Sequence, residues 1–151
     1  MTKILHEQIR CDQVEIHDPK KYGPIGIWNV PLLGVEPDQA PTPPEEPKTR
    51  NTFDMTGQNP YLINGDKFKM PLIPRTLDKL DKGIIFSEID LKSAFYQIPI
   101  HEDSIKKMSF TWEGQHYVLK RAPMGLASVP SHFSRIMHEI FEGLSYVVIY
   151  Q

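Results

Sequence analysis

Ile84-Ile-Phe-Ser-Glu-Ile-Asp-Leu-Lys-Ser-Ala-Phe-Tyr-Gln-Ile-Pro-Ile100 is the stretch on which the reading of the fold turns. Its first seven residues, opened by the apolar run Ile84-Ile-Phe86 and carrying Ile89, predict a buried strand that ends in an acid, Asp90. Ser93 to Gln97 suits a tight helical turn, and Ile98-Pro-Ile100 resumes an extended path. A carboxylate at the end of a strand stands at the rim of a rigid sheet, where it is placed to hold a metal ion. The same position more often caps the turn that follows, so both readings stand on these residues alone. Phe95 and Tyr96 divide in the same way between core or edge aromatics and substrate contacts.

Downstream, Lys107 to Trp112 and Gln115 to Arg121 flank Glu113-Gly114, a hairpin signal. Gly125, between Met124 and Leu126, allows a ligand close to the backbone or simply marks a turn. Pro130 to Phe141 predicts an amphipathic helix with Phe133, Ile136, Met137, Ile140 and Phe141 on its apolar side. Tyr146-Val-Val-Ile-Tyr150 reads as a closing strand. Upstream, Pro74 to Gly83 predicts a short helix with Leu77 and Leu80 on one face. This order of elements predicts an α+β fold, an antiparallel sheet with helices on one face.

Eight of the fourteen prolines lie in residues 1–47, and the run Glu36-Pro-Asp-Gln-Ala-Pro-Thr-Pro-Pro-Glu-Glu-Pro47 has no large apolar residue. Such a run has nothing to pack a core with and favours extended backbone. Ile25 to Val35 is apolar but broken by Pro31 and Gly34, as in a docking strand or a frayed segment. The expected organisation is a loosely ordered, acidic, Pro-rich leader over 1–49, contributing little to the core, and a folded unit over 50–151.

The whole chain of 151 residues, 40% apolar and 24% charged, suits one modest domain. Its net charge of −2 hides a gradient: four Lys/Arg against eight Asp/Glu in 1–47, then twelve against nine in 48–121. That excludes a simple polycation coating nucleic acid. A single cysteine, Cys11, excludes an intrachain disulfide and fits an intracellular, reducing compartment. No apolar run reaches the roughly 18 residues of a membrane span, and no signal peptide or membrane partner is expected. No P-loop, dinucleotide fingerprint or nucleophile elbow is present, and the six histidines lack ligand spacing.

Taken together and in order, five blocks resemble the reverse transcriptases of LTR retrotransposons, the gypsy-type elements and their caulimovirus relatives. Phe86 to Ile100 resembles the first catalytic motif. Arg50-Asn-Thr-Phe-Asp-Met-Thr-Gly-Gln-Asn59 is similar to the fingers signature of an Arg, an Asp four residues on and an Asn nine on. Lys107-Met-Ser-Phe110 with Gly114-Gln-His-Tyr-Val-Leu119 looks like the palm hairpin. Ala122-Pro-Met-Gly-Leu-Ala-Ser-Val-Pro-Ser-His-Phe133 looks like the next motif, and Tyr146-Val-Val-Ile-Tyr-Gln151 resembles the strand leading into Tyr-x-Asp-Asp.

The resemblance implies a palm-type sheet with partial fingers and an RNA-directed DNA polymerase that uses two divalent metals, Mg²⁺ in the family. By position, Asp90 is the catalytic carboxylate and a metal ligand, and the carbonyl of Leu91 helps to bind the nucleotide's metal. Arg50 contacts the triphosphate, as suits a multi-donor guanidinium. Phe95 is the aromatic gate under the sugar, and Met124 and Gly125 lie beside the incoming nucleotide and template. Met124 departs from the commoner Phe or Gln. The implied partners are an RNA or DNA template-primer and dNTP. The sequence reaches Tyr150-Gln151 without the paired aspartates, so the expectation is a fragment that is catalytically incomplete by itself. Two rival readings are a non-catalytic nucleic-acid or protein-binding module that reuses the fold, and a retrotransposon relic without selected function.

Overall fold

A computed structural model describes residues 2–35, 50–62, 68, 69, 78, 80 and 83–150 of the chain. Its centre is the hairpin of β4 (Ser109–Trp112) and β5 (Gln115–Leu119). Glu113 and Gly114 both take positive φ, 48° and 77°, and Trp112 pairs with Gln115 across them. A two-residue turn of that hand matches the natural twist of the strands. Alternation along β5 buries His116 and Val118, and Leu119 at the end of the strand is buried as well. Phe110 is fully buried, stacked on Tyr117 at 5.3 Å and tilted against Phe53 at 5.0 Å.

The first residues of the chain complete this sheet, contrary to expectation. Helix α1 (Thr2–Arg10) leads into β1 (Val14–Ile16), which pairs antiparallel with the free edge of β5, giving the order β1-β5-β4. Leu5, Val14 and Val30 are part of the core cluster. The leader expectation for residues 1–49 is therefore corrected for the part described: charge and proline content over the whole window concealed a short amphipathic helix with Leu5, Gln8 and Ile9 on one face. A short helix, α2 (Pro19–Tyr22), follows, capped by the Asp18 carboxylate on the Lys20 N–H and ended by Gly23 at φ 77°. The docking-strand alternative for Ile25 to Val35 holds in β2 (Leu32–Val35), which pairs with β3 (Arg50–Phe53) in a second, two-stranded antiparallel sheet. The acidic Pro-rich run 36–49 and most of the helix expected over 74–83 lie outside the described residues.

The remaining elements pack around these sheets. Residues 94–97 form a 3₁₀ turn and α3 (Glu102–Ile105) precedes the hairpin, as α4 (Val129–Ile140) follows it. Pro130 near its start favours the first turn of α4, and Gly143 at φ 84° lies just past its end. Val129 and Phe133 are buried, whereas Ile140 is 63% exposed, so the apolar side of α4 is only partly used.

Two expected strands are absent. Residues 84–90 and 147–150 have no ladder partner among the described residues, and Ile84, Ile85 and Ile89 are 96%, 90% and 85% exposed. An apolar run becomes a buried strand only where another strand accepts its backbone hydrogen bonds. The mixed α+β architecture with antiparallel sheets is otherwise as expected.

Leu5 is 1% exposed in this core. Leu5→Ala should lower unfolding free energy by about 2–5 kcal/mol, the usual cost of a core cavity, as read by urea denaturation. A dispensable leader would show no change.

Candidate functional site

The turn at 94–97 is tied to the segment before α4 through backbone pairing. The Ile100 N–H donates to the Lys120 carbonyl at 2.9 Å and the Ala122 N–H to the Ile98 carbonyl at 2.9 Å, with Pro99 bridging Arg121. This places the residues after Phe95 alongside those just before Met124 and Gly125. Phe95 is half-buried, its ring meeting Phe133 of α4 edge to face at 5.6 Å. Ser93, ahead of the turn, sits in the left-handed region at φ 52° and ψ 43°, which for a non-glycine residue stores on the order of 1 kcal/mol of strain.

Met124 is 45% exposed, and Gly125 adopts φ +90°. A Cβ at position 125 would lie 3.1 Å from the Phe53 carbonyl oxygen, so both conformation and space require glycine. Asn59 holds this turn from the other side of the chain. Its Nδ2 donates to the Gly125 carbonyl at 3.0 Å, and its Oδ1 accepts from the Ala127 N–H at 2.9 Å. Asn59 itself lies in a 3₁₀ turn, Asn59–Tyr61, that follows β3. The Asp54 carboxylate accepts the Thr56 N–H at 3.0 Å and shapes the bend between them; the Thr56 bonds hold it below the usual carboxylate range.

A buried polar chain supports the 94–97 turn from beneath. Asn51 Nδ2 donates to Gln8 Oε1 at 3.2 Å, and Gln8 Nε2 donates to the Tyr96 hydroxyl at 3.4 Å. Burial pushes the Tyr96 phenol up to about 12. Helix α1 is thus linked to both β3 and the turn that carries Phe95. At the end of β5, Lys120 and Arg121 pair with Asp12, and the Lys120 contact draws the Asp12 carboxyl below its ordinary range.

The other expected site residues stand apart from this cluster. Asp90 is exposed and makes no hydrogen bond or ion pair among the described residues, and it does not cap the 94–97 turn, whose cap position is Ser93. Leu91 is 38% exposed. Arg50, at the start of β3, is exposed without an ion pair among the described residues. A two-metal centre gathers its ions with several converging carboxylates. Among the described residues no three His, Cys, Asp or Glu side chains converge, so Asp90 by itself does not fit such a centre.

The family model described as reverse transcriptase (RNA-dependent DNA polymerase) matches residues 42–151. The chain belongs to the reverse transcriptase family. Among its relatives in that family is the retrovirus-related Pol polyprotein from transposon 412 of Drosophila melanogaster, 36% identical over 120 residues that cover 80% of this chain and 10% of the polyprotein. The genome polyprotein of Petunia vein clearing virus is 35% identical over 82 residues, covering 54% of this chain and 4% of the polyprotein. The chain therefore spans a tenth or less of the length of these two relatives. In fold it is similar to the foamy viral protease-reverse transcriptase solved in complex with RNA/DNA hybrid, with a TM-score of 0.72 at 19% identity over 99% of this chain and 18% of that one. That likeness in fold extends to the residues ahead of position 42, consistent with α1 and β1 as integral parts.

Two roles in this reverse transcriptase segment escaped the sequence reading. Asn59 was recognisable only as a member of a spaced signature, and nothing in the sequence says that its amide reaches the 125–127 turn. Gln8 was recognisable as a polar residue on the apolar face of a helix, a signal that the charge count over 1–47 hid.

Asn59→Ala should cost about 1–2 kcal/mol, the worth of two hydrogen bonds, and should speed amide exchange at Ala127. Asn59→Asp keeps the acceptor and should retain the Ala127 protection; unchanged Ala127 protection in Asn59→Ala would show that this side chain does not hold the turn. Tyr96 should titrate near pH 12 in ultraviolet difference spectra. Its raised value means that the folded chain keeps a proton the unfolded chain loses from about pH 10 upward, so stability should decline between pH 10 and 12.

Proposed function

We propose that this chain is the fingers-and-palm part of an RNA-directed DNA polymerase and that these 151 residues alone do not extend a primer. The observation that carries the reading is the convergence of the Phe95 turn and the Met124-Gly125 turn, brought side by side by the pairing of 98–100 with 120–122 and fixed by Asn59. In this proposal the partners are an RNA or DNA template-primer and dNTP. The half-exposed Met124 and the glycine backbone at 125 offer a flat surface to base and sugar, and Phe95 limits the space beside the sugar. Arg50, with no ion pair among the described residues, is available to a triphosphate oxygen.

Asp90 is the proposed metal-binding carboxylate, with the Leu91 carbonyl as a second oxygen and Mg²⁺ as the proposed ion. One exposed carboxylate and one carbonyl leave most of the ligand shell to water, so the affinity of this part for Mg²⁺ should be weak.

Incorporation of labelled dNTP by the purified chain on a primer-template tests the proposal: none is expected, and incorporation that Asp90→Asn abolishes would overturn the claim of incompleteness. Fluorescence anisotropy with the same primer-template should show weak binding at low salt. Arg50→Ala should reduce it and flatten the plot of log K against log salt by about one unit if Arg50 meets a phosphate. No binding by the unmodified chain at low salt would remove the nucleic-acid part of the reading.

A further inference from the structure

His17, which follows β1, and His116, on β5, are both 8% exposed and meet edge to face with ring centroids 5.2 Å apart. The backbone joins them as well, because the His17 N–H donates to the His116 carbonyl at 3.0 Å. The protonation of the His116 ring follows from its neighbours. The Thr111 hydroxyl has one hydrogen and gives it to Asn29 Oδ1 at 3.1 Å, so toward His116 Nδ1, 2.9 Å away, it acts as acceptor. His116 thus carries its proton on Nδ1, and its Nε2 keeps a bare lone pair. That Nε2 is buried and has no hydrogen-bond partner among the described residues.

We propose that the His17–His116 contact is a pH-sensitive latch, which holds residues 14–22 on strand β5 while the His116 ring is neutral and releases them when that ring takes up a proton. A proton can enter His116 only at Nε2, where no acceptor among the described residues receives the new N–H and an imidazole lies against the ring. Among the described residues no anion compensates. From β1 and the chain leading into α2, the Glu15 carboxylate is taken by Lys21 and the Tyr22 hydroxyl and lies 3.6 Å from Lys120, while the Asp18 carboxylate caps the Lys20 N–H. Tyr22 of α2, whose ring is 6.0 Å from that of His17, carries no charge in this range, and the hairpin side offers Thr111 and, through it, Asn29. Neither carboxylate bonds either imidazole.

Burial first, and then His17, hold His116 below its ordinary value of 6.5. The unfolded or undocked chain takes up the proton sooner than the docked one, so the latch loses strength as pH falls through 6.5 toward the docked value and levels off below it. The loss falls first on β1, an edge strand of three residues paired on one side only, whereas β4 and β5 are joined by their own turn.

The test is a nuclear magnetic resonance titration of the full 151-residue chain between pH 7.5 and 5, with amide protection factors corrected for intrinsic exchange. The His116 ring should titrate with a midpoint below 6.5. The His17 amide should lose protection several-fold more than the amides of the β4–β5 hairpin. In His116→Phe, which keeps an aromatic ring and has no basic nitrogen, that selective loss should vanish. A His116 midpoint at or above 6.5, equal loss at His17 and in the hairpin, or the same selective loss in His116→Phe would each overturn the latch. The midpoint is read on the unmodified chain and decides the matter even if the variant does not fold.

Discussion

Strand β5 has its backbone hydrogen bonds met on both edges, by β4 through a two-residue turn and by β1 from the start of the chain. Burying a strand requires that both edges be paired, because an unmet N–H or carbonyl away from water costs about as much as the burial of a side chain returns. Val118 and Leu119 can therefore be fully buried only while β1 is in place. The extension of β5 at 120–122 in turn pairs with 98–100, and that pairing sets the Phe95 turn beside Met124 and Gly125. The geometry of the candidate site is downstream of this one strand.

The site is accordingly supported from three separate parts of the chain. Gln8 reaches the Tyr96 hydroxyl from α1, Asn59 reaches the 125–127 turn from the segment after β3, and Phe133 of α4 closes on Phe95. Each contact joins residues more than thirty apart in sequence. A polar side chain that bonds two backbone groups fixes a turn in a way that apolar packing does not, because direction as well as distance is specified.

How much of this was legible in the sequence depended on whether the cause was local. The Glu113-Gly114 hairpin, the 94–97 turn and the amphipathic helix from Val129 were readable, because turn chemistry and helical period act over a few neighbouring residues. Strand identity for Ile84 to Asp90 was not, because apolar content states that a segment seeks a partner and not that one is present. The role of residues 2–35 was hidden for another reason. Composition summed over 1–47 was dominated by acidic residues and prolines, while Val14 pairs with Leu119 and Gln8 bonds Asn51 and Tyr96, partners far along the chain. The family itself was recognisable from ordered, spaced blocks, although the orphan positions of Asp90 and Arg50 show that a motif in sequence need not be a gathered site in this portion of chain.

The run from Ile84 to Leu91, without a ladder partner among the described residues, bears on how the protein behaves in concentrated solution. Large exposed side chains in extended backbone are the usual starting point for self-association through strand addition and precipitation. Glu88 and Asp90 sit on either side of Ile89 in this run, and like charges there discourage two copies from aligning. The Asp90 carboxylate is therefore expected to oppose strand addition quite apart from any chemistry. Neutralising it leaves Glu88 as the one acid in this apolar run.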